Sequence, residues 1–246
     1  MIFDAHVRVG AGREVELDAD ALLATMDELG IDRALVSPGE AEIAWANRAG
    51  NERVAALARE HADRLAAYAV ANPWAGPAAV EELRRAREDG AVALAVDPAL
   101  QGFDLLDGLV DPLLDFAEDA GWLAYVRAGT PPTGLPLQVA ELARRHPGVP
   151  IVLGRSGATD FIIDAQPALQ RAPNLYADTS HIAWDTLLSA LAADPAIGVG
   201  RILFATDAPY ALPAGELERT REWPLPGADL ERVLGGTLLE LLQQTA

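Results

Sequence analysis

Seven side chains, His6, Arg8, Arg127, Arg155, Ser180, His181 and Asp207, each stand in or just after a short apolar run. The first run, Ile2 to Val9, alternates Asp4, His6 and Arg8, and simple alternation in an extended chain puts all three on one face. Arg127 closes the run Trp122 to Arg127, and Arg155 follows Pro150 to Leu153. Ser180 and His181 follow Asn174 to Asp178, and Asp207 follows Arg201 to Ala205. An imidazole titrates near pH 6.5, so His6 is a natural proton carrier, with His181 and Ser180 as further site candidates. A guanidinium grips carboxylate or phosphate through paired, charge-assisted hydrogen bonds. The set suits acid/base chemistry on a small anion.

Composition narrows the choice. The 246 residues carry nineteen cations against thirty-seven carboxylates, a net charge of −18, and every one of the nineteen is arginine. Without lysine there is no Schiff-base amine, no phosphate-loop lysine and no carboxylated lysine bridging two metals. Without cysteine there is no disulfide and no thiolate zinc site. So acidic a chain is a poor partner for a phosphate backbone, so nucleic acid is not expected. No apolar run approaches the roughly 20 residues of a membrane helix, and the first strand-like run begins at Ile2. A soluble, cytoplasmic protein is the expectation.

The elements that must position these residues recur regularly. Runs of about five to eight apolar residues alternate with helical stretches eight times. Helices are expected at Ala19 to Leu29, Glu40 to His61, Pro77 to Asp89, Val110 to Ala120, Leu135 to His146, Thr159 to Arg171, Trp184 to Ala193 and Ala228 to Leu242. Near-continuous apolar runs are typical of buried parallel strands. Eight strand-plus-helix units in about 250 residues make a single-domain α/β fold, a (β/α)8 TIM barrel. Its chemistry belongs at the C-terminal ends of the strands, where the seven residues fall. An open doubly wound sheet is disfavoured, because Val9-Gly10-Ala11-Gly12 lacks the full glycine fingerprint.

The strings DAHVRV, LLATMDELGIDRALVSP, DPALQGFDL, AYVRAG, IVLGRSG, NLYADTS and RILFATDAPY, in this order, resemble the amidohydrolase superfamily, in particular its amidohydrolase-related branch of small hydrolases and decarboxylases. The resemblance implies a metal site built from a His-x-His pair, two further histidines and an aspartate. His6 and Asp207 match the first and last of these positions, while Arg8, Arg127 and Arg155 stand where the other three histidines would be. A guanidinium has five donors and no lone pair, and it stays cationic. The expectation is therefore an enzyme without the usual metal and with no cofactor. Arg8, Arg127, Arg155 and Ser180 would bind a small anionic substrate, and His6, Asp207 and His181 would move protons. The reaction would be of lyase, decarboxylase, cyclase or hydrolase type. By resemblance, Asp207 orients His6 or acts as a base, and a homo-oligomer is implied.

Two other readings stay open from the residues alone. The three arginines would equally pair with Asp4, Asp97, Asp178 or Asp207 and merely fill a dead site; Gly236-Thr237, where the family often has an asparagine, fits such an inactive binding protein. Alternatively His6, His181 and Asp207 form a rearranged three-ligand metal site. His61 and His146 sit near helix C-termini, where a cationic side chain suits the helix dipole. Trp122 reads as packing, Trp45 and Trp184 as pocket candidates, and Glu40 as a carboxylate that sequence alone does not place.

Overall fold

The computed structural model describes residues 1–158, 160–182 and 185–243. Eight parallel strands form one sheet in chain order: β1 (Phe3–Arg8), β2 (Arg33–Ser37), β3 (Leu65–Ala69), β4 (Ala91–Val96), β5 (Ala124–Arg127), β6 (Ile151–Gly154), β7 (Leu175–Asp178) and β8 (Ile202–Leu203). The chain after β8 returns to β1: Ala5 N donates to Phe204 O at 2.9 Å, Arg8 N to Ala208 O at 2.8 Å and Asp207 N to His6 O at 3.1 Å. The result is the expected single-domain (β/α)8 barrel, nearly closed. Among the described residues no helix is long and apolar enough to cross a membrane.

The strands are apolar on both faces because both are buried. Phe3, Ala5, Leu35, Tyr68, Ala93, Tyr125, Val152 and Leu203 pack inside the barrel. Alternate residues such as Leu94, Val96, Val126 and Leu153 meet the helices outside. Helices α1 (Ala19–Leu29), α4 (Pro77–Glu88), α6 (Asp111–Ala120) and α7 (Pro136–Arg145) stand close to their expected bounds. Three carry proline in the first turn, where its missing N–H costs nothing.

Several expectations are corrected. The long helix from Glu40 is two, α2 (Glu40–Ala44) and α3 (Asn47–Glu60). Asn47 causes the break, since its Nδ2 donates to Glu42 O and Ile43 O, both at 2.8 Å, satisfying the last carbonyls of α2. The helix expected up to Arg171 is a 3-10 turn followed by the shorter α8 (Ala165–Arg171). α9 (Asp185–Ala193) begins one residue after Trp184; Trp184 and Thr159 lie outside the described residues. α10 (Pro213–Glu222) was not expected at all. The C-terminal helix is α11 (Gly227–Glu231) and α12 (Thr237–Gln243) joined by a wide turn.

One irregularity positions the site. Asp4 pairs with Ala34 but Val7 with Val36, so β1 holds one extra residue. Phe3 and Ala5 face the interior, whereas Val7 and Val9 pack against the helices. The bulge thus changes the phase of the strand. Asp4, His6 and Arg8 do not share one face as alternation predicted, and Asp4 turns onto Thr206 instead.

Candidate functional site

The strand ends gather their polar residues around one carboxylate. Asp207 is fully buried, and its Oδ1 lies 3.0 Å from His6 Nδ1. Its Oδ2 accepts from Arg155 Nε at 2.7 Å, with Arg155 Nη2 also at 2.7 Å. His181 Nε2 stands 2.9 Å from the same oxygen, and Arg127 Nη2 3.5 Å. Burial pushes the Asp207 carboxyl up, but the imidazoles of His181 and His6 and the Arg155 guanidinium outweigh it and hold it well below the usual carboxylate range. It is an anion at any working pH.

Arg8 is buried and donates from Nη2 to Asp97 Oδ2 at 2.5 Å. Asp97 in turn caps the short helix α5 (Pro98–Gln101), accepting from Leu100 N at 3.0 Å. Arg127 lies between the two carboxylates, 3.8 Å from Asp97 and 3.5 Å from Asp207. Three guanidiniums therefore face two carboxylates directly, with Glu40 and Asp178 further out. Arg8 Nε and Arg127 Nη1 are buried without a hydrogen-bond partner. Donors in that state cost stability unless something accepts from them. The expected convergence of the arginines is seen, and so is their pairing with Asp97 and Asp207; none pairs with Asp4.

Backbone strain marks the same place. Arg155, Ser156, His181 and Asp207 adopt φ of +59°, +48°, +59° and +50°, and no other non-glycine residue among those described has a positive φ. Four such residues at the ends of β6, β7 and β8 are held there only by the surrounding structure, a cost that clusters at functional sites.

His6 sits deeper than expected. It is stacked on Tyr125, with ring centroids 4.0 Å apart and planes 5° apart. With Nδ1–H given to Asp207, Nε2 is an acceptor, 3.2 Å from Ser37 Oγ. Burial lowers its pKa, partly offset by Asp207 and deepened by Arg8 and Arg155, so the ring is neutral. His181 is the more open imidazole, at 18% exposure against 1%. Ser180 is not turned to the arginines: its N and Oγ both bond Asp178 Oδ1, at 3.1 and 3.0 Å.

Sequence reasoning missed Tyr125, Ser37 and Tyr210. Tyr125 Oη donates to Asp178 Oδ2 at 2.8 Å while its ring supports His6. Gly154 is needed here, since a Cβ would meet the Tyr125 ring at 2.7 Å. Tyr125→Phe is expected to lower unfolding free energy by about 1–2 kcal/mol in urea titrations, the cost of a buried acceptor left short of a donor. A change below a few tenths would mean that the hydroxyl does not matter. Tyr210 lies over the arginines, its centroid 4.3 Å from Arg127 Cζ, 5.4 Å from Arg8 and 5.6 Å from Arg155. Its position in a proline-containing turn gave no sign of this.

The other candidates fall elsewhere. His146 lies between Asp111 and Asp115, at 3.2 and 3.4 Å. Trp122 packs edge-on against Phe116, as expected. Trp45 is 75% exposed and lines a cavity of about 420 Å³ with Glu40, Arg13 and Leu100.

The family model described as amidohydrolase matches residues 3–242. No curated protein matches the sequence. Solved structures of similar fold include the 2,6-dihydroxybenzoate decarboxylase from Rhizobium, 19% identical over all of both chains with a TM-score of 0.75. A dihydroxybenzoic acid decarboxylase from Polaromonas sp. JS666, with bound manganese and 2-nitroresorcinol, is 17% identical over 100% of this chain and 98% of its own, TM-score 0.74. The 5-carboxyvanillate decarboxylase from Novosphingobium aromaticivorans, complexed with manganese and 4-hydroxy-3-methoxy-5-nitrobenzoic acid, is 15% identical over 99% of this chain and 96% of its own, TM-score 0.81.

These structures overturn the expectation of metal-free chemistry with no cofactor, because the decarboxylases of this architecture include manganese-bound ones. Among the described residues no group of three or more His, Cys, Asp or Glu side chains is placed to hold a metal. Both Asp207 oxygens are engaged by His6, His181 and Arg155, and the three guanidiniums offer no lone pair. As arranged here, the side chains do not fit a divalent ion.

Proposed function

We propose, for a chain that belongs to the amidohydrolase family, an enzyme of lyase type that takes a small carboxylate into the strand-end mouth and releases carbon dioxide from it. The observation that supports this reading is the convergence of three guanidiniums on one strand-end mouth, two of them with a buried N–H group left without a partner. Aromatic acids are the substrate class to try first, since the similar structures named above are decarboxylases of hydroxybenzoates and carboxyvanillate.

In this reading Arg8, Arg127 and Arg155 orient the substrate's anionic groups. Loss of carbon dioxide leaves an electron pair on the ring carbon, and a fixed guanidinium stabilises charge spread onto a neighbouring oxygen. The carbon then needs one proton. His181, with Asp207 beside it to stabilise the imidazolium form, is the more open of the two imidazoles and is placed to deliver it. His6 lies behind, orienting Asp207 from the other oxygen.

The manganese of the similar structures supports a metal-dependent form of this reading, with His6, His181 and Asp207 as the ligands. It requires Arg155 to leave Asp207. The test is carbon dioxide release from 2,6-dihydroxybenzoate and 5-carboxyvanillate by purified protein, with chelator and with added manganese, beside elemental analysis. Activity that falls at least 100-fold in Arg127→Met is expected; activity that appears only with manganese, with stoichiometric metal bound, selects the metal-dependent form. No release from either acid under any condition would overturn the reading.

A further inference from the structure

The arginine mouth is closed by a side chain of its own. The Tyr210 ring has three guanidiniums within 4.3 to 5.6 Å of its centroid, and its Oη lies 3.4 Å from Arg8 Nη1. On the far side Oη donates to Glu40 Oε1 at 2.8 Å. Glu40 is itself held by Arg13, whose N donates to Oε2 at 3.0 Å and whose Nε stands 3.4 Å away. Arg13 belongs to the loop of a two-stranded ribbon, Gly10–Ala11 paired with Glu16–Leu17. The loop approaches closely, since a Cβ on Gly12 would come within 3.2 Å of Tyr210 Oη and 3.3 Å of Glu40 Cδ. Beneath the ring, Arg127 is 10% exposed and Arg8 4%. The ring thus covers guanidiniums that have little surface left open.

A planar ring with a polar oxygen at its edge already fits this space. Guanidiniums favour aromatic faces, and Arg in particular stacks on them. The adjoining cavity of about 420 Å³, lined by Glu40, Arg13, Ala44, Trp45 and Leu100, gives the displaced side chain or the incoming ligand room on the solvent side. Glu40 is the shared wall, because it lines the cavity and holds Tyr210.

We infer that the space filled by the Tyr210 ring is the binding slot for the planar ring of an aromatic carboxylate, and that Tyr210, latched by Glu40 and Arg13, is the gate that occupies it in the free protein. The inference rests on the function proposed above and adds to it a slot, a latch and a selectivity for flat rings. The ligand's carboxylate would take up Arg8 Nε and Arg127 Nη1, the donors that Tyr210 leaves unused. The latch sets a cost on entry that a ring recovers by stacking and that a ringless acid cannot recover.

The experiment measures binding of salicylate and of acetate by calorimetry to the parent, Tyr210→Ala, Glu40→Gln and Tyr210→Ala/Arg127→Met proteins, each checked for its melting transition. Tyr210→Ala is expected to bind salicylate at least 10-fold tighter than the parent, to gain for acetate as well, and to hold salicylate at least 10-fold tighter than acetate. Glu40→Gln, which keeps the ring but weakens its latch, should fall between and serves as the second variant if Tyr210→Ala does not fold. The double variant should lose the gain. Salicylate binding that Arg127→Met removes but that neither Tyr210→Ala nor Glu40→Gln improves would overturn the gate and leave the arginine mouth standing. Equal affinities of Tyr210→Ala for acetate and salicylate would overturn the ring slot. No binding of either acid to any variant would overturn both this inference and the function it rests on.

Discussion

Asp207→Asn is expected to destabilise the protein by about 3–5 kcal/mol, to abolish turnover, and yet to bind carboxylates more tightly than the parent. The first effect follows from burial. Asp207, itself fully buried, is the shared counter-ion of Arg155 and Arg127 and lies against two imidazoles. Removing one member of a buried ionic cluster leaves the others uncompensated, at about that cost. Asparagine is the right probe, because it tolerates the positive φ of +50° that most residues resist. Backbone strain is thereby held constant, and the change reports the charge. The binding gain follows from charge: with Asp207 neutralised, Arg155 and Arg127 lose the carboxylate that competes with a bound anion. Urea unfolding at pH 7 gives the stability, and titration with salicylate gives the affinity. A variant within 1 kcal/mol of the parent would show that the carboxylate does not hold the cluster. Weaker salicylate binding would show that Asp207 supports the anion site by geometry rather than opposing it by charge.

The legible part of this molecule was what burial on two faces writes into a sequence. Runs such as Ala91 to Val96 and Trp122 to Arg127 announce strands because both sides are apolar, and their count gave the barrel. Helix α10 was illegible for the converse reason: only Leu217 and Thr220 are buried in it, too few to set a period. The break between α2 and α3 depends on one amide, Asn47, reaching back to two carbonyls. The site was legible through residues that cannot be explained as core, hence His6, the arginines and Asp207. Tyr210, Tyr125 and Ser37 passed unseen because each is an ordinary residue type whose role comes from contacts across the barrel, 202 residues apart for Tyr210 and Arg8. The phase of β1 was misread because a bulge leaves no trace in composition. The cofactor expectation failed differently: chemistry that a guanidinium cannot do was taken as chemistry the site does not do.

The parent protein is expected to lose stability as pH rises from about 5 to about 8, and Asp4→Asn is expected to remove much of that loss. Beneath the site lie two carboxyls that the proposed reaction does not use. Burial pushes Asp4 up to about 7, against the pull of its bonds from Thr206 and the His6 N–H, with the charge of Asp178 adding to the rise. Burial likewise pushes Asp178 up to about 6, despite the donors Tyr125 and Ser180. In the unfolded chain both lose their protons near 3.8. Between that value and the folded one the native state binds more protons, so stability is full below and is lost as pH rises through about 6 to 7. At about 1.4 kcal/mol per unit, Asp4 alone accounts for roughly 3 kcal/mol between pH 5 and its folded value near 7. Asp207 has the opposite sign, since its depressed pKa gives a stabilisation that is present at neutral pH and lost only in strong acid. Glu42 and Glu82, held down by arginines, act in the same sense as Asp207 and have run their course by pH 5. Glu216, raised by burial, adds to the pair in this window, while His6, neutral when folded, opposes them below its unfolded value of 6.5, so the difference between the parent and Asp4→Asn curves is what reports Asp4. Asparagine at position 4 can still accept from Thr206 N and His6 N through its oxygen, and its amide can donate to Thr206 Oγ1, without a proton to lose. Urea titrations at half-unit steps across this window decide the matter: an Asp4→Asn curve with the parent's slope would show that Asp4 is not the group being forced to ionise.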